Sequence, residues 1–537
     1  MPAPSPDLAA AASAVALARS MIETAASHLA AQGARHAIDA NQIVAFDLAH
    51  AAAAVEAARA AVAYAARGDV EARIGCAFVA DALWDVMTKI LAREVGWGAP
   101  PGALDEALPF VRAYRDPAFL ASLAGEEGPR HLDSDFELVQ DTFRRFAEDR
   151  IRPVAEHVHR TNGDVPEDII SGLAEMGGFG LSVPEEYGGF SSGGGSEYMG
   201  MVVATEELSR ASLALGGSLI TRPEILTRAL VRGGTEEQRR DWLPRIAGGE
   251  AMVAVAVTEP DYGSDVAGLK VTASPSADGW VIRGVKTWCT FAARADILML
   301  LARTDPDRSQ AHRGLSLFIV PKPRGDGHGF VFDQKDLEGP GAGRMEGRPI
   351  DTIGYRGMHS YELAFDDWWV PSDCLIGGEG GLGRGFYYQM EGFENGRLQT
   401  AARALGVMQA AFEAARDYAA ARVVFGRPVG DYQLTQAKLA RMAVLIQCSR
   451  QFMYDVARMM AKGDAAMEAS MLKAYVCRAA EWVSREAMQI HGGMGYAEEF
   501  AVSRYFVDAR VLSIFEGADE TLALKVVARR LVERAGG

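Results

Sequence analysis

Residues 256–268 have the sequence AVTEPDYGSDVAG, at the point where a long helical pattern gives way to short strands. Hydroxyl groups and glycine-supported backbone N–H groups are concentrated in this loop. Such donors suit a ligand with many acceptor atoms, such as a pyrophosphate or a pyrimidine ring. Because plain Gly/Ser turns are more common than binding loops, this loop taken alone is a weak indication.

Residues 252–370 carry short β-branched runs, such as 280–284 and 315–320, separated by Gly, Pro and Asp. This pattern predicts a compact β domain. Inside it, Trp288 and Thr290 stand two residues apart in the segment GVKTWCT. In a regular strand both would project to one side, where the indole could stack on a bound group and the hydroxyl could hydrogen-bond it. The alternative is a core Trp beside a surface Thr.

Helical periodicity dominates on both sides of the predicted β domain, so the expected fold class is α+β. A linker-like passage at residues 124–130 separates the amino-terminal part from the rest. We predict an extra helical N-terminal domain (1–125, called the front segment), a helical domain (132–250), a middle β domain (251–370) and a C-terminal helical bundle domain (384–537).

The chain has 537 residues, of which 49% are hydrophobic and 23% are charged, so it can bury large cores. Its 55 Lys and Arg residues are outnumbered by 71 Asp and Glu residues, and the net charge of −16 argues against binding nucleic acid. The five cysteines form no CxxC pair and no Cys/His ligand spacing. We therefore expect reduced, buried thiols and no metal site.

The alanine-rich run at residues 51–66 is interrupted by Glu56 and Arg59, and the amino terminus has no basic leader before its apolar part. A membrane helix needs about 18 or more consecutive apolar residues. We therefore expect no membrane-spanning segment, no secretory signal and a cytoplasmic location.

The two helical ends of the chain share a weak internal repeat. The spacing of Gln42, Leu48-Ala49 and Arg59 along the chain is the same as the spacing of Gln433, Leu439-Ala440 and Arg450. Coincidence between two alanine-rich amphipathic helices explains it equally well. If the repeat is real, the front segment is a degenerate copy of part of the C-terminal bundle, which has kept a packing face and lost the chemistry.

Two further motifs lie near the carboxyl end. The segment QIHGGMGYAEE (489–499) has three glycines in four positions between two helical patterns, which allows very close backbone approach to a bound group. The segment IFEG (514–517) places Glu516 in an apolar context at the edge of a helical segment. A capping or exposed glutamate is the plainer interpretation of that residue.

Together, these four elements resemble the acyl-CoA dehydrogenase family. The loop at 256–268 fits the first family signature, except that Tyr262 stands where a small residue is usual. The stretch from Gln489 through Arg504 to Asp508 fits the second signature at every defined position. The resemblance covers about residues 132–537, and further support comes from PEEYGG (184–189), GYRG (354–357) and RVVFG (422–426) with Gln433.

The resemblance implies a helical domain, a central β-barrel-like domain and a C-terminal four-helix bundle, in an FAD enzyme that oxidises the α,β bond of an acyl-CoA. The residues implied to hold the flavin on their own subunit are Val257, Thr258, Ser264, Trp288 and Thr290. Those implied to reach the FAD of a neighbouring subunit are Arg422, Phe425, Gln433, Gln489, Gly492 and Gly493. The family pattern thus implies a homodimer or homotetramer, with electron-transfer flavoprotein as the electron-accepting partner.

The resemblance also implies that Glu516 is the base that removes the α proton while the β hydrogen leaves as hydride. A carboxylate in an apolar pocket is poorly solvated, which makes it a stronger base towards a carbon acid. Some family members carry this glutamate just before the arginine that corresponds to Arg397, but here that position is Gly396. Ala518 and Glu520 replace the usual Thr and Gln after the Glu-Gly pair.

The fold does not fix the acyl substrate. The front segment and the chain length are similar to the branch of the family that oxidises (2S)-methylsuccinyl-CoA to mesaconyl-CoA in the ethylmalonyl-CoA pathway. A free carboxylate on the acyl group needs a cationic or hydrogen-bonding pocket wall, for which Arg222 and Arg356 are candidates. A structural ion pair explains either arginine equally well. Ser264, Glu394 and Arg397 complete the implied substrate-binding set.

We expect the front segment to cover surface on the enzyme body, where it would narrow the acyl pocket or add oligomer contacts. Other interpretations stay open. An oxidase, or a straight-, short- or branched-chain dehydrogenase of other specificity, would share the fold. A non-catalytic DNA-binding flavoprotein would need a basic carboxy-terminal surface, which the net charge of −16 disfavours. A scaffold that keeps the motifs as relics is disfavoured by the intact Glu516 and both glycine-rich loops.

Overall fold

The computed structural model describes residues 4–325, 328–463 and 465–537. These residues form two compact units. The first unit combines the described residues up to Asp141 with Thr400–Gly537, and the second is Thr142–Gln399. The front segment therefore shares a unit with the C-terminal helices, although the rest of the chain separates them in sequence.

Alanine-rich helices build the front segment, because alanine forms helices at the lowest entropic cost. They are α1 (Leu8–Ala30), α2 (Ala34–Ala40), α3 (Gln42–Ala65), α4 (Asp69–Ile90), α5 (Glu94–Trp97), α6 (Leu108–Tyr114) and α7 (Pro117–Ser122). Small side chains let α3 and α4 approach closely. A Cβ on Gly75 of α4 would lie 2.6 Å from the Cβ of Ala65 in α3, so a side chain there would push the two helices apart.

Among the described residues, helix α1 is long and apolar enough to cross a membrane by length and composition. Arg19 and Glu23 interrupt α1, so α1 contains no uninterrupted apolar run of about 18 residues, and the expectation of no membrane-spanning segment stays a prediction. In the structure, α1 packs against α3 and α4 and buries Ala18 and Leu29. It contributes in this way to the core of the first unit.

Helices precede and follow the strands of the second unit. The chain forms α8 (Ser134–Phe146), α9 (Arg152–Thr161), α10 (Glu167–Glu175), α11 (Ser196–Ala211), α12 (Ser218–Gly233), α13 (Glu236–Ala247) and, after the strands, α14 (Gly385–Ala421). Helix α13 begins with a capping box, in which the side chains of Thr235 and Gln238 each accept a hydrogen bond from the other's backbone N–H.

An eight-stranded sheet forms the β part of the second unit. Its strands are β1 (Val253–Ala256), β2 (Thr272–Ser276), β3 (Gly279–Thr290), β4 (Ile297–Arg303), β5 (Leu315–Pro321), β6 (Phe330–Asp333), β7 (Arg344–Ile350) and β8 (Ser360–Pro371). The strand order is β1-β4-β2-β3-β8-β7-β6, with β5 paired to β4. Strands β1 and β2 pair with β4 in parallel, and the other pairs are antiparallel. The predicted α+β class, with a sheet in the middle of the chain, is confirmed.

Strand β4 is buried along its whole length. Its side chains Ile297, Met299 and Leu301 join a core with α12 and α13. The helices contribute Leu226, Leu230, Leu243 and Ile246. Burial of each such side chain stabilises the fold by about 1.5–3 kcal/mol. Because β1 pairs with β4 along Val253–Ala256, this core fixes the start of the loop at 256–268.

The carboxyl end completes the first unit with the hairpin of β9 (Val423–Val424) and β10 (Arg427–Pro428) and with α15 (Gln433–Met460), α16 (Ala466–His491), α17 (Ala501–Leu512), α18 (Asp519–Thr521) and α19 (Arg529–Gly536). The repeated helices α3 and α15 begin at the matched residues Gln42 and Gln433, and α3 packs against α15 and α16. Their matched arginines differ in environment. Nη2 of Arg59 lies 3.2 Å from Oδ2 of Asp455, whereas Arg450 is buried within the bundle.

Candidate active site

The loop after β1 is attached to β3 by a buried ion pair. Nζ of Lys286 donates to the carbonyl of Val257 at 2.8 Å and to Oε1 of Glu259 at 2.9 Å. The carboxylate of Glu259 also accepts from the backbone N–H groups of Lys270 and Val271, at 2.7 and 2.9 Å. Burial lowers the pKa of Lys286 to about 8, and the negative charge of Glu259 limits that lowering. This pair holds the loop at 256–268 beside the strand that carries Trp288.

Trp288 lies at a β-bulge. The pairing of β3 with β8 shifts register between Lys286 and Cys289, and Trp288 has a φ of +57°. A positive φ is uncommon for a residue with a side chain and marks a constrained position. The prediction that Trp288 and Thr290 project to the same side assumed a regular alternation of side chains along β3. The bulge interrupts that alternation. The indole is 55% exposed, whereas Thr290 is buried, with its hydroxyl 3.0 Å from that of Ser360.

The other residues predicted to hold the flavin on their own subunit belong to the loop at 256–268. Val257 is buried, Thr258 is half-buried and Ser264 is exposed. The carbonyl of Thr258 accepts from the backbone N–H of Thr287 at 2.8 Å, which fixes the loop against β3 one residue before Trp288. The second unit therefore brings this predicted group of residues to one end of β1 and β3.

A glycine turn follows α16 in the first unit. Gly492 has φ +61° and ψ −137°, a conformation that favours glycine. Within the described residues, a Cβ at Gly492 or Gly493 would meet no atom within 4 Å, so the backbone there is open to a bound group. His491 stacks on Tyr418 at 4.2 Å, and its Nδ1 lies 2.8 Å from the carbonyl of Ala487. Burial lowers the pKa of His491, which favours the neutral ring.

The residues predicted to reach a neighbouring subunit are exposed on the first unit. They are Arg422, Phe425, Gln433, Gln489, Gly492 and Gly493. Phe425 is 98% exposed and has a φ of +49°. A fully exposed phenyl ring on a constrained backbone is typical of a surface that meets another molecule. Their contact with a second subunit stays a prediction.

Glu516 follows α17 in a tight loop and has a φ of +56°. Its side chain is 8% exposed, and its Oε1 lies 3.5 Å from Nη2 of Arg403 on α14. Arg403 is fully buried, its guanidinium lies 4.7 Å from the ring centroid of Phe515, and its Nη2 donates to the hydroxyl of Thr400 at 2.6 Å. The carboxylate is thus held next to a positive charge.

This arrangement differs from the apolar surroundings predicted for Glu516. A buried guanidinium is costly unless a negative group faces it, and Glu516 is the carboxylate beside Arg403. Burial therefore places Glu516 in a low-dielectric environment, but Arg403 supplies part of the electrostatic stabilisation that water would give.

Two more side chains hold the segment that follows Glu516. Nζ of Lys473, a buried residue on α16, donates to the carbonyl of Gly517 at 2.6 Å. Nε2 of His50, on α3 of the front segment, lies 3.3 Å from Oδ2 of Asp519. Beside this segment is a cavity of about 450 Å³ lined by Phe46, Arg478, Glu481, Arg510, Ser513, Ile514, Ala518, Asp519 and Glu520.

The two candidate receptors for an acyl carboxylate differ in their contacts within the second unit. Arg222 of α12 is buried, with Nη1 3.4 Å from the carbonyl of Ser218 and its guanidinium 5.8 Å from the ring of Tyr355. Among the described residues, no carboxylate pairs with Arg222. Arg356 instead donates to the backbone carbonyls of Thr352 and His159, at 3.1 and 3.2 Å.

The remaining predicted substrate residues lie apart from that pair of arginines in sequence. Glu394 and Arg397 are on α14, where Glu394 is half-buried and Arg397 is buried. The nearby buried carboxylate of Glu224 is already engaged, by Arg228 at 3.0 Å and by the amide of Asn395 at 2.6 Å. Glu224 is therefore not the ion-pair partner of Arg222.

Sequence reasoning missed four residues that position the site, namely Glu259, Lys286, Arg403 and Lys473. One signal was available. Glu259 directly follows Thr258, and Lys286 stands two residues before Trp288, so two residues of opposite charge lie beside two predicted flavin contacts. Arg403 and Lys473 carry no such signal, because each lies far along the chain from Glu516.

Family models for the acyl-CoA dehydrogenase N-terminal, middle and C-terminal domains match residues 133–250, 254–368 and 383–532. The chain belongs to the acyl-CoA dehydrogenase family. Its fold is the acyl-CoA dehydrogenase fold, and the front segment precedes the part that the family models match.

Among curated acyl-CoA dehydrogenases, the chain is 43% identical over 407 residues to the (2S)-methylsuccinyl-CoA dehydrogenase of Cereibacter sphaeroides, covering 76% of this chain and 71% of that protein. Among solved structures, it is similar to glutaryl-coenzyme A dehydrogenase in complex with glutaryl-CoA, with a TM-score of 0.66, 28% identity and coverage of 75% and 96%. It is also similar to a Mycobacterium smegmatis glutaryl-CoA dehydrogenase in complex with FADH2, with a TM-score of 0.63, 25% identity and coverage of 73% and 93%.

Acyl-CoA dehydrogenases are FAD enzymes, so this chain is an FAD-dependent oxidoreductase that acts on the CH–CH group of an acyl-CoA. The residues present fit the cofactor. The indole of Trp288, which is 55% exposed at the bulge, offers a stacking surface. The turn at Gly492 and Gly493 leaves open space where a Cβ atom would be.

Proposed function

We propose that this acyl-CoA dehydrogenase oxidises (2S)-methylsuccinyl-CoA to mesaconyl-CoA. The observation that carries the proposal is Arg222, a buried cation for which the described residues supply no carboxylate partner. A buried charge without a counter-charge is strongly unfavourable. A substrate carboxylate would remove that cost, so the site favours an acyl group that ends in a carboxylate over a plain alkyl chain.

Arg222 is a better candidate than Arg356 for this role. Arg356 already donates to two backbone carbonyls, which holds residues 352 and 159 together. Arg222 has one long contact to the carbonyl of Ser218, and the aromatic face of Tyr355 lies on one side of it. Its guanidinium can therefore offer a bidentate pair of N–H groups to a carboxylate.

Glu516 is the residue we assign to α-proton removal. Its carboxylate is buried, faces Arg403, and belongs to a segment that Lys473 holds by the carbonyl of Gly517. Such positioning fixes the reacting oxygen before substrate arrives. FAD, when bound through Trp288 and the loop at 256–268, would supply the hydride acceptor, and the glycine turn is predicted to reach the FAD of a neighbouring subunit.

The proposal includes three further elements. Electrons pass to electron-transfer flavoprotein, which is supported by similarity to a chain from the structure described as "Electron transferring flavoprotein of Acidaminococcus fermentans" (TM-score 0.66, 29% identity, coverage of 76% and 99%). The protein acts as a homodimer or homotetramer, which the exposed Phe425 and glycine turn support. It works in the cytoplasm, in the ethylmalonyl-CoA pathway.

The test is anaerobic bleaching of the flavin in the purified holoenzyme by methylsuccinyl-, succinyl-, glutaryl-, butyryl-, isobutyryl- and isovaleryl-CoA. We expect (2S)-methylsuccinyl-CoA to bleach the flavin fastest. Faster bleaching by butyryl-CoA or isobutyryl-CoA would remove the substrate assignment and leave a dehydrogenase of another specificity. An absence of bleaching by every thioester would contradict the assigned chemistry as well.

A further inference from the structure

Three side chains that could bind a metal ion converge in the second unit, and none of them is assigned to FAD or substrate. Asp164 lies between α9 and α10, His328 precedes β6, and His359 precedes β8. Their ligand atoms all lie within 4.8 Å of one another. Oδ1 of Asp164 is 3.1 Å from Nε2 of His359 and 4.0 Å from Nε2 of His328.

A fourth candidate ligand atom, a backbone oxygen, lies beside His359. The backbone carbonyl of Gly163 lies 3.1 Å from Nε2 of His359. In a tetrahedral zinc site with bonds of about 2.0–2.1 Å, neighbouring ligand atoms are about 3.3 Å apart. Two of the measured separations, both 3.1 Å, are close to that value, and the third, 4.0 Å, requires His328 to move about 0.7 Å closer to Asp164.

The local backbone favours this convergence. Helix α9 ends at Asn162 in the left-handed conformation, with φ +51°, which turns the chain so that Gly163 and Asp164 follow directly. His359 is buried and has a φ of +44°, a constrained backbone for an imidazole-bearing residue. Constrained conformations of this kind are found where a side chain must be aimed at a particular point.

The two imidazole rings lie side by side. The ring centroids of His328 and His359 are 4.1 Å apart, so each ring can present a nitrogen to one ion.

We propose that Asp164, His328 and His359, with the carbonyl of Gly163, bind one divalent transition-metal ion of the zinc class. Two imidazole nitrogens and two oxygens form a ligand set that Zn²⁺ accepts readily. The ion joins the turn after α9 to the edges of β6 and β8 within the second unit. Its role is structural, because no residue assigned to FAD or substrate belongs to the ligand set.

The alternative is a hydrogen-bond network in which His359 donates to Asp164 and Gly163 without any ion. The two arrangements predict different effects of removing the His328 ring. This side chain is 38% exposed, and its Nε2 lies 4.0 Å from Oδ1 of Asp164. Removing its ring should have little effect on a network centred on His359. It should have a large effect on a metal site, because one of the ligands is lost.

The experiment uses untagged holoenzyme treated with a chelator and then titrated with ZnCl₂ by calorimetry, with metal content measured after dialysis. We expect one Zn²⁺ per chain, with a dissociation constant below about 10 µM, and a rise in thermal midpoint on adding Zn²⁺. The variant His328→Ala should weaken Zn²⁺ binding by about 100-fold or more. The matched control His157→Ala removes an exposed imidazole on α9 and should bind like the wild type.

Two results would overturn the proposal. One is Zn²⁺ binding in the millimolar range only, which would indicate adventitious surface binding. The other is equal affinity in the wild type, His328→Ala and His157→Ala, which would place the bound ion elsewhere. Because His328 is partly exposed, its replacement should leave folding intact, and the unchanged flavin absorbance of the variant verifies this.

Discussion

Nε2 of His50 lies 3.3 Å from Oδ2 of Asp519, which joins helix α3 of the front segment to the segment that follows Glu516. His50 is 5% exposed, so the contact is shielded from water. Asp519 is three residues beyond Glu516, and Lys473 holds the intervening Gly517 by its carbonyl. The front segment is therefore part of the support of the proposed catalytic base, as well as a cover for the C-terminal helices.

His50→Gln should lower the rate of flavin reduction by about tenfold, because small displacements of a reacting group have large kinetic effects. Glutamine keeps a polar group but lacks the imidazole nitrogen that faces Asp519. FAD content should not change. The measurement is anaerobic single-turnover reduction by methylsuccinyl-CoA, with the exposed His36→Gln in the front segment as control. Equal rates in both variants would show that His50 does not position the base.

Glu516→Gln should reduce the rate of flavin bleaching by about 10⁴-fold, since an amide cannot accept the α proton. Acyl-CoA should still bind, which a shift in the flavin spectrum without bleaching would report. Glu520→Gln is the matched control, because Glu520 is an exposed carboxylate four residues further on. Bleaching of Glu516→Gln at the wild-type rate would assign proton removal to another residue.

Arg222→Gln should lower kcat/KM for methylsuccinyl-CoA by about 10–100-fold, the value of one or two charge-assisted hydrogen bonds. Turnover of butyryl-CoA should hardly change, because butyryl-CoA has no carboxylate to lose a partner. Steady-state kinetics with both thioesters measures the difference. The control is Arg232→Gln on the same helix, whose side chain is 68% exposed. A parallel loss with both substrates would indicate a structural role for Arg222 instead.

The five cysteines are all buried, and alkaline pH should destabilise the protein through them. Burial raises the pKa of Cys477 to about 11 and that of Cys289 to about 12, so the folded state holds these protons more tightly than the unfolded chain does. This stabilisation is complete below about pH 9 and is lost as pH rises, by about 1.4 kcal/mol per thiol and pH unit.

Urea denaturation between pH 8 and pH 11 measures this effect. An aromatic disulfide reagent at pH 8 should label few thiols in the folded protein and all five after denaturation, because a buried thiol rarely ionises. Rapid labelling of the folded protein, or unfolding free energy that does not fall above pH 9, would contradict the prediction.

Deleting the residues before Leu132 should destabilise the remaining chain or make it insoluble. Helix α3 packs against α15 and α16, and its removal would expose apolar side chains that the bundle now buries. The deletion would also remove the contacts of Arg59 with Asp455 and of His50 with Asp519. Size-exclusion chromatography and thermal denaturation test this. A soluble fragment with the wild-type midpoint and selectivity would show that the front segment supports neither folding nor specificity.

The family and the helix–strand–helix order could be predicted from the sequence, because both depend on local patterns. Strand signals cluster between Val253 and Pro371, where the sheet lies, and the two signature loops keep their glycines and hydroxyls within a few residues of each other. Backbone propensity and short motifs act over such distances. The glycine at 492 is one example, since only its local φ requires that residue.

The bulge at Trp288 and the charge beside Glu516 could not be predicted in this way. The bulge lies where the register of β3 with β8 shifts, and register depends on the partner strand. Arg403 reaches Glu516 only through the packing of α14 in the first unit. The apolar residues around Glu516 in sequence carry no information about it.

By itself, the sequence therefore determined the family of this protein and its cofactor, and it predicted a flavin-binding loop, a glycine turn and a glutamate for proton removal. Tertiary structure alone decided which charges meet: Lys286 with Glu259, Arg403 with Glu516, His50 with Asp519, and Asp164 with two histidines. The physical reason is that residue type and local spacing are written along the chain. The pairing of distant side chains depends on how helices and strands pack, which brings those side chains within a few ångströms and excludes water from between them.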